Sequence, residues 1–125
     1  MSNTRKTILL VEDEAALIGA GVFFAGFAIN QHADAVLMSL RKPGETGYKI
    51  PQGGCYRWVS CPNYFGEILE WTGFAIMTWS LPGLVYALWV GLPLFIQGRI
   101  AHQWYLEKFG ADYPKERRAV IPFLV

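Results

Sequence analysis

Charge and metal-binding side chains are scarce in this chain, and each shortage closes off a class of function. Only 17% of the 125 residues are charged and the net charge is +1, whereas soluble domains average about a quarter charged. No basic stripe interleaves with aromatic residues, so no nucleic-acid partner is expected. Two cysteines, Cys55 and Cys61, and two histidines at unrelated spacings make a poor metal site and no disulfide framework. No G-x-G-x-x-G follows a strand-like run, which excludes a Rossmann fingerprint. There is no internal repeat or low-complexity segment. Near the start, Ile8-Leu9-Leu10-Val11 runs straight into Glu12-Asp13-Glu14. An apolar run that short cannot act as a secretory core or a membrane span.

Apolar surface is plentiful, at 53% hydrophobic and 15% aromatic, within a length that suits one domain. Residues 15–29 are apolar or glycine throughout, a little short of the about 20 residues a span needs. The small residues Gly19, Gly21, Ala25, Gly26 and Ala28 would let a neighbouring helix approach closely. Residues 71–97 contain no charge and are interrupted by Pro82-Gly83 and Pro93. Residues 63–105 are long enough for two spans at about 1.5 Å per residue, which predicts a helical hairpin turning at residues 81–83. The segments on either side, residues 30–62 and those after Ile96, are both net positive. The positive-inside rule puts both on the cytoplasmic face, which two intervening spans allow and one does not. The expectation is an all-α, multi-pass protein with three transmembrane spans, its N-terminus on the far side, a polar cytoplasmic loop and a short amphipathic tail lying on the membrane surface.

The loop carries the most information. Residues 40–54 pack three cations, two prolines and four glycines into fifteen positions, then lead into Asn63-Tyr64-Phe65-Gly66-Glu67-Ile68-Leu69-Glu70-Trp71. A cationic, turn-rich loop before an apolar helix bearing carboxylates suits an anionic ligand held at a membrane surface. Arg41 could offer phosphate a bidentate fork, with Lys49 beside it, although both also satisfy the topology rule. Gly44, Gly47, Gly53 and Gly54 would let backbone N–H groups approach phosphate. Glu67 and Glu70, at i and i+3, share a helical face. A carboxylate at membrane depth costs about 2–3 kcal/mol and so faces a protein interior or cavity, unless it sits among headgroups. Asn63 is placed to cap this helix. Asn30 and Asp34, at i and i+4, share a face at the end of the first apolar segment. His102 and Tyr105 lie near the end of the last one.

Several stretches resemble one family in order: Ala28-Ile29-Asn30, Asp34, residues 40–54, Val59-Ser60, residues 63–71, Thr78-Trp79-Ser80-Leu81-Pro82, Trp104-Tyr105-Leu106, Tyr113-Pro114-Lys115 and Ile121-Pro122-Phe123-Leu124. From about Gly26 to Val125 the chain is similar to the C-terminal half of the steroid 5-alpha-reductases. That resemblance implies an NADPH-dependent membrane oxidoreductase that saturates a C=C bond conjugated to a carbonyl in a steroid-like or other lipid. It implies Glu67 as the catalytic carboxylate near the reacting end. It also implies Asn30, Asp34, Arg41, Lys49, Asn63, His102 and Tyr105 as cofactor-binding residues. The family pattern has two adjacent histidines before the Trp-Tyr pair, and Ala101 stands where the first would fall. The family's N-terminal half, with a further glutamate and a tyrosine at the substrate carbonyl, has no match here; Tyr64 is the nearest substitute acid. A second chain or self-association is therefore expected to complete the pocket. The implied location is the endoplasmic reticulum in a eukaryote or the inner membrane in a bacterium.

Residues 6–14 resemble the first strand and acidic pair of a response-regulator receiver. No phospho-acceptor aspartate follows, so residues 1–14 read as an atypical N-terminal segment and residues 15–125 as the membrane domain. Two other readings stay open: a non-catalytic membrane module retaining only the fold or dinucleotide binding, and a soluble phosphorelay receiver.

Overall fold

The computed structural model describes residues 2–125. Three helices, α1 (Asn3–Ser39), α2 (Pro62–Thr78) and α3 (Leu81–Phe109), make up most of it, with short 3-10 turns at Gly54–Arg57 and Gly110–Asp112. No strand forms among the described residues; the one β-bridge pairs Val59 with Arg118 in parallel.

Helix α1 begins at Ser2, whose Oγ accepts the Arg5 N–H at 3.3 Å, an ordinary serine N-cap. Its 37 residues span about 55 Å. The receiver-like residues 6–14 are its first turns rather than a strand, and the apolar stretch 15–29 is its middle. The helix stops at Ser39, just ahead of Pro43, which disfavours helical backbone in the residue before it. Lys42, Pro43, Gly44 and Glu45 then form a tight turn. The Lys42 carbonyl accepts the Glu45 N–H at 3.0 Å, and Gly44 takes the φ of +86° that a type II turn requires after proline.

Helix α2 starts at Pro62, with Cys61 in the N-cap position and no side-chain cap. Asn63 is therefore inside the first turn, two residues past the capping position expected for it; Pro62, which needs no N–H partner, takes the first helical position. The hairpin turns at Trp79 and Ser80, two residues before the predicted point. Trp79 adopts the left-handed conformation at φ +46° that usually falls to glycine at a helix end. Ser80 Oγ accepts the Gly83 N–H at 3.1 Å and caps α3. Pro82 falls in the first turn of α3, where its missing donor costs nothing.

The helices run antiparallel in sequence order. Helices α1 and α2 meet through glycines seven residues apart on each: a Cβ on Gly66 would lie 2.6 Å from the Gly26 carbonyl oxygen, and one on Gly73 would lie 2.6 Å from that of Gly19. Of the small residues expected to permit this approach, Gly19 and Gly26 do so; Gly21 has open space around it and Ala25 and Ala28 are exposed.

The tightly buried core sits at one end of the bundle. The largest fully buried side chains, Tyr56, Tyr113, Val59, Val120, Pro51 and Pro62, all belong to the loop after α1, the start of α2 and the tail. The tail is not a free amphipathic segment. The Ser60 N–H donates to the Arg118 carbonyl at 2.8 Å, the Arg118 N–H to that of Trp58 at 2.8 Å, and the Cys61 N–H to that of Ala119 at 3.1 Å. Pro114 and Pro122 deny the tail a helix, so its backbone finds partners on the loop instead. The helices, by contrast, expose Leu17, Phe24, Leu84, Leu88, Trp89 and Leu92, far more apolar surface than a water-soluble chain tolerates. One helix among the described residues, α3, is long and apolar enough to cross a membrane.

Candidate functional site

The end of α1, the loop, the start of α2, the end of α3 and the tail converge on one polar cap, and the predicted residues distribute around it. Arg41, Lys49 and Tyr105 line one cavity of about 440 Å³, together with Leu37, Tyr48 and Trp104. The Arg41 guanidinium lies 4.8 Å from the Tyr48 ring centre, and Tyr48 meets Trp104 edge to face at 5.0 Å. Lys49 pairs with Glu45 across one turn of loop. Cations held against aromatic faces form a cavity able to receive an anionic group and a flat ring together.

Beside that cavity runs a chain of hydrogen bonds. Ser60 Oγ lies 2.6 Å from His102 Nδ1 and 2.5 Å from the Tyr113 hydroxyl, and Tyr105 stacks on Tyr113 with ring centres 5.3 Å apart. With Nδ1 engaged by Ser60, the ring orientation of His102 is set by the loop. Tyr56, fully buried, donates its hydroxyl to the Ala33 carbonyl at 3.2 Å and ties the loop to α1. Burial pushes the Tyr56 hydroxyl well above the usual tyrosine range, and nearby Tyr105, Cys61, Asp34 and Tyr113 add to that shift.

Arg117 is the least expected member. It is 4% exposed; Nη2 donates to Gln52 Oε1 at 3.1 Å and the guanidinium rests 5.2 Å from the Tyr113 ring centre. Its Nε and Nη1 have no acceptor among the described residues, nor does any described carboxylate pair with it. A buried cation left partly unpaired costs several kcal/mol, which an anionic group at this cap would offset.

The remaining predicted residues lie along α1 and α2. Asn30 Nδ2 donates to Glu70 Oε1 at 3.1 Å, so the carboxylate that meets Asn30 is Glu70, across the helix interface, and not Asp34 on its own helix. Asp34 is exposed on α1, while Asn63 and Glu67 are half-buried on α2. Ser60, Tyr56, Tyr113 and Arg117 escaped the sequence reading as site residues because their partners lie 23 to 65 residues away in the chain. The signal was faint but present: Val59-Ser60 and Tyr113-Pro114 fall inside the family-like stretches.

A family model described as 3-oxo-5-alpha-steroid 4-dehydrogenase matches residues 4–125. The chain belongs to that family. The match includes residues 6–14, now seen as the start of α1. Mouse 3-oxo-5-alpha-steroid 4-dehydrogenase 1 is 56% identical over 109 residues, covering 87% of this chain and 42% of its own length. Steroid 5-alpha-reductase DET2 from Gossypium hirsutum is 53% identical over 108 residues, covering 86% of this chain and 42% of its own. The human 3-oxo-5-alpha-steroid 4-dehydrogenase 1 is 48% identical over 114 residues, 91% and 44% respectively. The chain thus spans about two-fifths of the length of these steroid 5-alpha-reductases.

Proposed function

We propose that this chain is the cofactor-holding part of a multi-pass membrane reductase that uses NADPH to saturate a C=C bond conjugated to a carbonyl in a steroid-like lipid. The observation that carries this is the convergence of Arg41, Lys49, Tyr105 and the part-unpaired guanidinium of Arg117 at one end of three antiparallel helices. All three helices cross the bilayer in this reading, with the polar cap on the cytoplasmic side, where the positive loop and tail belong.

The cap suits NADPH by its donor chemistry. Arg41, Lys49 and Arg117 are the groups that would hold its phosphates, since guanidinium forks match phosphate oxygens. Tyr48, Trp104 and Tyr105 offer ring faces for stacking. Asn30, Asp34 and Asn63 would hydrogen-bond its amide and ribose groups, and His102, oriented by Ser60, would add a further contact. When bound, the cofactor supplies a hydride to the lipid's β-carbon. Glu67 would face the reacting end and exchange a proton there, as a positioned carboxyl can. A second chain, or self-association, would complete the substrate pocket.

The test uses the full chain in nanodiscs, titrated with NADPH and then supplied with a 3-oxo-4-ene steroid. Cofactor binding and consumption are expected, with Glu67→Gln abolishing consumption while leaving binding within a few-fold. Arg41→Ala should weaken binding about tenfold, the loss of one charge-assisted contact. Binding without turnover in the wild-type chain would favour the non-catalytic module instead. No NADPH binding in any lipid would overturn the cofactor reading and leave a module that keeps the fold alone.

A further inference from the structure

We propose that Ser60 is a positioning residue: it relays a hydrogen bond from Tyr113 to His102 Nδ1 and so fixes His102 as a neutral ring with its proton on Nε2. A cofactor held at the cap then meets His102 with an acceptor oxygen, from phosphate, ribose or carboxamide carbonyl, and not with a donor. That second half rests on the cofactor reading above; the fixed ring does not.

Counting protons sets the direction of the chain. Ser60 Oγ lies 2.6 Å from His102 Nδ1 and 2.5 Å from the Tyr113 hydroxyl oxygen. A hydroxyl donates once and accepts twice, so the two bonds run one way or the other. In one direction His102 Nδ1–H donates to Ser60, and Ser60 donates to Tyr113. The Tyr113 proton is then stranded. Its side chain is 1% exposed, and Ser60 is the one hydrogen-bond partner of its hydroxyl among the described residues. A buried donor without an acceptor is heavily penalised. In the other direction Tyr113 donates to Ser60 and Ser60 donates to Nδ1, and every proton is used. A histidine nitrogen that accepts leaves the ring proton on the other.

Arg117 supplies a second observation. Its guanidinium lies 5.2 Å from the Tyr113 ring centre. A cation there is attracted to the ring electrons and draws density from the hydroxyl oxygen, which makes Tyr113 a better donor and a poorer acceptor. Tyr105, stacked on the same ring at 5.3 Å, helps hold it in place. The nitrogen left over is open to a ligand. The sealed-off polar atoms without partners are Trp71 Nε1 and Arg117 Nε and Nη1. His102 Nε2 also lacks a partner among the described residues, yet it is not one of these, and His102 is only half-buried.

The experiment labels the histidine rings of the full chain with ¹⁵N, places it in nanodiscs without cofactor, and records which ring nitrogen carries the proton. At about pH 8 an ordinary histidine is neutral. His32, exposed on α1, gives the averaged pattern of a ring in both tautomers. His102 should give a single form protonated on Nε2, and Ser60→Ala should move it to the averaged pattern. Tyr113→Phe frees Ser60 to accept from Nδ1 and should move it the same way, so it serves if circular dichroism shows Ser60→Ala misfolded. A proton on Nδ1, an averaged His102 in the wild type, or a ring indifferent to both variants overturns the proposal while leaving the cofactor reading intact. NADPH titration tests the second half. Ser60→Ala should weaken binding roughly five-fold, the cost of ordering one freed side chain on binding. His102→Gln, which keeps an amide donor, should bind more tightly than His102→Leu. Wild-type affinity in His102→Leu overturns the contact with an acceptor oxygen. No NADPH binding by a wild-type chain whose His102 is fixed overturns the cofactor reading and that contact, and upholds the role of Ser60.

Discussion

Gly26 and Gly66 meet backbone to backbone where α1 crosses α2, and neither has room for a side chain. A Cβ on Gly66 would lie 2.6 Å from the Gly26 carbonyl oxygen, and one on Gly26 would lie 2.7 Å from the Glu70 nitrogen. Because the obstacle is backbone, no rotamer change relieves it. Gly66→Val should destabilise the bundle by about 1–3 kcal/mol, the usual cost of overpacking. Gly21→Ala, on the open face of α1, should be neutral or stabilising by up to about 1 kcal/mol. Unfolding followed by circular dichroism in micelles separates the two outcomes.

Ser60 bridges His102 and Tyr113, so removing its hydroxyl leaves two polar groups short of a partner. Ser60→Ala should cost about 1–3 kcal/mol. Tyr113→Phe removes the other end of the same chain, so the double variant should lose less than the sum of the two. Additive losses in a thermal-denaturation cycle would mean that the three groups do not act as a unit.

Arg117 carries a charge that its surroundings only partly accommodate. Replacing a buried, incompletely paired cation with an apolar side chain of similar length is often neutral or stabilising. Arg117→Met should therefore leave the cofactor-free melting temperature within a few degrees of the wild type. The rise on adding NADPH, worth about 2.7 kcal/mol at a hundredfold excess over Kd, should shrink sharply. An unchanged rise would remove Arg117 from the phosphate contacts.

Cys61 is buried beside the tail, and burial pushes its thiol from 9.0 up to about 12. Burial raises Cys55 in the same direction, though that residue is only half-buried. An acid whose folded pKa lies above its unfolded value favours the folded state below the unfolded pKa. That contribution is lost as pH rises past 9 towards 12. The cap should accordingly loosen in alkali, and Cys61→Ala should flatten stability between pH 9 and 12. At pH 7.5, maleimide should label Cys55 in the folded protein and reach Cys61 only after unfolding, a difference that peptide mapping reads directly.

Helices with apolar flanks could be read from residues 15–29 and 71–97 because hydrophobicity and length are local properties. The hairpin was foreseen within two residues, since Pro82 marks a boundary; which side of it the chain would turn depended on the left-handed Trp79 and the Ser80 cap. Arg41, Lys49 and Tyr105 were recognised by residue type and family-like wording. That they line one cavity was invisible, because nothing in a linear spacing says that a loop folds over the end of a helix 56 residues further on.

The amino-acid order alone determined an apolar, all-helical chain with a cationic loop and a family likeness, because helix formation, turn chemistry and hydropathy act over a few neighbouring residues. Only the tertiary structure decided that Asn30 bonds Glu70, that Ser60 joins His102 to Tyr113, and that the tail folds back to bury Arg117. Those contacts join residues 40 to 65 positions apart. They exist because backbone-to-backbone helix packing and loop-to-tail pairing bring distant segments to one end of the bundle.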